Sequence, residues 1–161
     1  MYASTRIGRI YAVKWEELTV TSVSRVATEI ASARAAAGAP VVYLAIIPEH
    51  SAVPGAAERA ALRRWSGDVK DHLAGAHLVI AGLGERPSIH RSLLTGVLLV
   101  TGTIDGLMLH THASAVGALA RIALSVEIDT VEVLRALAAR GFLAHEVAPP
   151  VAPVAAVAEP G

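Results

Sequence analysis

The chain contains no cysteine, which excludes disulfides, thiolate metal ligands and a cysteine nucleophile, and agrees with a reducing, cytoplasmic setting. Aromatic residues make up only 4% of the 161 positions, so the core has to be assembled from alanine, valine, leucine and isoleucine. Neither sign of charge is in excess, because 14 basic side chains offset 14 acidic ones. A general attraction to nucleic acid or to anionic lipid is therefore not expected. Long apolar runs are missing too. The greasiest stretch, 93–100, carries Thr95 and Gly96 and falls far short of the roughly 20 residues of a membrane span. Residues 1–9 are polar and show no apolar segment of the secretory type. These absences predict a soluble cytoplasmic protein.

What is present is apolar material, 53% of the chain at a mean hydropathy of +0.51, enough for one substantial core. A single domain is expected over 1–145. From 146 to 161 the chain is almost wholly Ala, Val and Pro, a composition that packs poorly and predicts a flexible tail.

Three apolar strand candidates, 41–47, 78–81 and 107–112, each feed an amphipathic helix through a short polar turn. That order predicts an α/β domain with a small mixed, largely parallel sheet flanked by helices, because parallel neighbours need a crossover. Upstream, Tyr11, Val13 and Trp15 alternate as in a strand with one buried face. Val20, Val23, Ala27, Ile30 and Ala31 then form a helical stripe, with Thr19 or Thr21 as cap and Gly38 as stop. The second helix carries Leu62, Trp65, Val69 and Leu73 on one face, with Gly75 as its expected C-terminal residue. Pro87 suits the start of a third helix, 88–101, which is apolar around most of its circumference. Ser114 caps a fourth, and Asp129, paired with Glu132, opens a last one that Gly141 ends.

Several of these segments together resemble the STAS-like domains, relatives of the anti-sigma factor antagonists, and most of all compact bacterial members. The resemblance spans about residues 7–141. It is carried by Trp15 followed by a threonine-started helix, by the strand VVYLAIIP, by the helix opening AAERAAL, and by VIAGLGERPSIHRSLLTGVLLV, in which strand, glycine turn and helix succeed one another. None is a catalytic signature. The resemblance implies a non-enzymatic signalling module that contacts another protein, switched in the antagonist branch by phosphorylation of a serine after a central strand. Ser51 holds that place here, preceded by His50 where the family has an acidic residue.

In open α/β sheets, loops at the carboxyl ends of strands gather on one edge and bind ligands or partners. The loops 48–55, 82–88 and 112–114 qualify. In GLGERPS, Gly82 and Gly84 permit close backbone approach, Arg86 offers a cation and Ser88 lies at a helix start, a setting for a phosphate or carboxylate. The alternative is a tight turn with a solvated arginine. His50, His90 and His112 could share the edge, but no close ligand pair or acidic cluster supports a metal centre, and none is expected. Ser51 beside His50, and Ser92 beside His90, are adjacent in sequence, which rarely gives nucleophile–base geometry. The periodicity places Trp15 and Trp65 in the core. No cofactor and no enzymatic activity are expected. The residues favour a regulatory or scaffold module that binds a protein partner or a second copy of itself, the latter suggested by the nearly all-apolar helix 88–101. The alternative is a domain binding a small anionic ligand, a nucleotide or lipid head group, at His50, Gly82, Gly84, Arg86 and Ser88.

Overall fold

The computed structural model describes residues 1–82, 84–85, 87–92 and 109–143. Strands β1 (Tyr2–Ile7) and β2 (Ile10–Trp15) form a hairpin, followed by helix α1 (Val20–Ala37), β3 (Val41–Ile47), α2 (Ala56–Val69), a 3₁₀ turn (Lys70–His72) and β4 (Leu73–Ile80). Residues 87–92 are helical. Strand β5 (Leu109–His112) and helices α3 (Ala115–Ile122) and α4 (Thr130–Ala139) complete the described part. The five strands lie in the order β1-β2-β3-β4-β5. β1 is antiparallel to β2, and the other three pairings are parallel. The sheet is thus mixed and largely parallel, as the sequence predicts.

Side-chain alternation along the strands sorts the core into two layers. Tyr11, Val13 and Trp15 of β2, with Tyr43 and Ala45 of β3, pack against Val23, Val26 and Ile30 of α1. Ile10, Ala12, Val42, Leu44 and Val79 face the other way and pack against Ala118, Leu119, Ile122, Val133 and Leu137 of α3 and α4. β2 is therefore buried on both faces, not one, because it lies inside the sheet between β1 and β3 with helices above and below. Both tryptophans join the first layer, where Trp15 Nε1 donates to Tyr43 Oη at 2.8 Å.

Helix ends follow local chemistry. Thr19 and Ser22 form a reciprocal capping box, and α1 stops at Gly38 in the left-handed region at φ 67°. Ser114 accepts from Gly117 N, and Asp129 from Val131 N and Glu132 N.

β1 is not anticipated by the sequence. As an edge strand it buries little, and its burial alternation is broken, so periodicity barely marks it. Glu29 of α1 holds it down, accepting from Tyr2 Oη and Ser4 Oγ at 2.8 Å each, from Tyr11 Oη at 2.5 Å, and pairing with Arg25. Gly75 does not end α2. It lies within β4 opposite Val42, beside a register irregularity at Val41 and Val42, so β4 begins at Leu73 rather than at 78. The expected helix 88–101 is described only as far as 92, and the expected tail 146–161 lies outside the described residues.

Candidate functional site

Parallel pairing of β2 to β5 delivers four carboxyl ends to one rim, and a cleft of about 920 Å³ opens there. Lys14 and Ile46 line it from the strands, Glu49 and His50 from the loop after β3, Gly82, Gly84 and Glu85 from the turn after β4, and Ala113 from the end of β5. Phe142 and Leu143 close it from the segment after α4, which Gly141 turns at φ 73° and Lys14 Nζ holds by donating to Gly141 O at 3.1 Å. The three loops singled out by topology thus meet around one cavity.

The loop after β3 is pinned from several sides. Ser51 is 3% exposed, and its hydroxyl donates to Trp15 O at 2.7 Å. His90 Nε2, from the helical residues 87–92, lies 3.3 Å from Ala52 O, and Arg59 Nη1 donates to Pro54 O at 2.7 Å. His50 is exposed at the cleft. The Ser51 hydroxyl is thereby committed to the Trp15 carbonyl, so neighbourhood in sequence does not make His50 its base.

At the turn after β4, Gly82 adopts φ 86°, a conformation costly for any other residue. A methyl group there would lie 2.6 Å from Glu49 Cδ, and one at Gly84 would lie 2.8 Å from Glu49 Oε1. The close approach permitted by these glycines is therefore taken up by a carboxylate of the protein itself. Arg91 braces the same turn, donating to Ile80 O at 3.0 Å and Gly82 O at 2.5 Å. Ser88 Oγ donates back to Gly84 O at 3.0 Å. Arg86 lies outside the described residues. Glu49, Lys14 and Arg91 were not singled out by the sequence, since nothing local announces a glutamate folded over the next strand's turn.

His112 meets another histidine across the last strand pair. Its Nε2 is 3.0 Å from Nδ1 of His77 on β4. Pairing of β4 with β5 sets His77 beside His110, with ring centroids 5.0 Å apart, and His77 beside His112 at 5.2 Å. His77 is buried. Burial, then the neighbouring His110, His112 and Arg121, push its imidazole down to about 4, and burial with His110 and Arg121 lowers His112 as well. The equal spacing of His110 and His112 is visible in the sequence, whereas their meeting with His77 depends on strand register. Among the described residues no group of three or more histidine or acidic side chains is disposed to hold a metal ion, and no helix is long and apolar enough to cross a membrane.

The chain matches no protein-family model, no curated protein and no solved structure.

Proposed function

We propose that this chain is a STAS-like, non-enzymatic regulatory or scaffold module of cytoplasmic signalling, which receives a segment of a protein partner, or of a second copy, in the cleft at its carboxyl rim. The single observation behind this reading is the convergence of the three loops and Phe142 on that cleft. Its lining mixes an apolar floor, Ile46, Val79 and Phe142, with Lys14, Glu49 and Glu85. Such a surface suits a peptide with an apolar anchor and charges of both signs. The succession of a hairpin and helix-linked parallel strands agrees with the resemblance seen in the sequence.

Phosphorylation of Ser51 belongs to the same proposal. Its hydroxyl faces Trp15 O, so a kinase reaches it only when the loop opens. The added charge then keeps the loop from returning and changes the rim shown to a partner.

A photo-crosslinking residue placed at His50 should give discrete protein adducts in native lysate, while one at exposed Arg64 on α2 should not. Equal labelling from both sites would remove the rim as the contact surface. Light scattering after size exclusion separates the two kinds of partner, since a strictly monomeric mass eliminates the second copy. An anionic ligand at Gly82 and Gly84 has to displace the Glu49 carboxylate. Stabilisation by a panel of phosphate compounds, lost in Arg86→Ala, would replace the protein-binding reading with that one.

A further inference from the structure

The three imidazoles of His77, His110 and His112 form a stack across the last strand pair of the sheet, with ring centroids 5.0 to 6.4 Å apart. β5 has four residues, none fully buried, and its partner in the sheet is β4. Short strands with few buried contacts open at the least cost. The 3.0 Å contact between His77 Nδ1 and His112 Nε2 requires one nitrogen to donate and the other to accept. One proton can be shared across it. A second turns both nitrogens into donors, and the bond becomes a repulsion.

The charges acting on His77 are His110 and His112 from β5 and Arg121 from α3, all of one sign once protonated. From β3 the residue beside it is apolar Leu44. Nothing in that set compensates a positive charge.

We propose that this stack is an acid-operated catch: protonation of the paired imidazoles releases edge strand β5 from β4. The low proton affinity of the closed stack acts in the same direction, because opening returns the rings to water, where they bind protons readily. Ala113, which lines the rim cleft, directly follows His112, so release of β5 also removes one wall of that cleft. This inference stands on the stack alone and does not require the protein-binding reading.

Amide hydrogen exchange on the whole chain, at about pH 7.5 and about pH 5 and normalised for intrinsic rates, tests it. Protection at 109–112 should fall at least roughly tenfold relative to Val41–Ile47 of β3 on acidification. In His77→Gln, which keeps a polar side chain but cannot take up a proton, that relative fall should vanish. Arg121 is exposed, so Arg121→Ala provides a second variant with an intact core. Removing its charge should shrink the fall, because the protonated stack is then repelled less. Unchanged relative protection of β5 in the parent protein, or the same fall in His77→Gln or in Arg121→Ala, overturns the proposal.

Discussion

Two side chains illustrate how much a single polar group holds in place. Ser51 joins the loop after β3 to the end of β2 through its bond to Trp15 O, buried on both sides. Ser51→Ala leaves that carbonyl without this donor, and should cost about 1–3 kcal/mol in urea unfolding. Glu29 gathers two tyrosine hydroxyls, a serine hydroxyl and Arg25. Burial opposes its charge, but the hydrogen bonds from Tyr11, Ser4 and Tyr2 and the Arg25 charge more than compensate and keep its carboxyl below the usual range. Glu29→Ala should lower stability by about 1.5–3 kcal/mol. It should also free β1 specifically, seen as faster hydrogen exchange at Tyr2–Ile7 than elsewhere in the sheet.

Among the elements, α1 carries the most complete local instructions. Thr19 and Ser22 satisfy each other's backbone at one end, and Gly38 takes the left-handed conformation at the other. Thr19→Ala should therefore cost about 1 kcal/mol, read as a lowered midpoint of thermal unfolding. The same locality explains what could be read in advance. Caps at Thr19, Ser114 and Asp129, and strands as apolar as Val41–Ile47, depend on neighbours a few positions away, and the sequence displays them. β1 and the early start of β4 depend on partners supplied by the rest of the sheet, so a polar edge strand and a glycine inside a strand pass for turn material. At the rim, topology alone brought the loops 48–55, 82–88 and 112–114 together. It could not foresee the Glu49 carboxylate over Gly82 and Gly84, or His77 against His112, because both are set by how adjacent strands slide into register.

For the whole molecule, three kinds of titrating group act on stability at separate pH values. His77 binds protons less readily in the folded chain, at about 4 against an ordinary 6.5. The unfolded state therefore gains protons first, and stability falls as pH drops from 6.5 toward 4. Glu29 is lowered from 4.5, so its contribution, full above that value, is lost at still lower pH. At the alkaline end, burial and the Glu29 contact push Tyr2 up to about 12, and burial chiefly raises Tyr11 and Tyr43 as well. These are all three tyrosines of the chain. Stability should decline above about pH 10, and tyrosinate absorbance should rise together with loss of circular dichroism. A tyrosinate signal at ordinary alkalinity in a fully folded sample would contradict the burial of these rings.

The strand order β1-β2-β3-β4-β5 repeats the order of the chain. During translation each new strand consequently leaves the ribosome when the neighbour it must join has already been made. The sheet can grow one strand at a time from the hairpin outward, with no gap held open for a later arrival. Its most recently added member, β5, is then the one whose removal leaves every earlier pairing untouched.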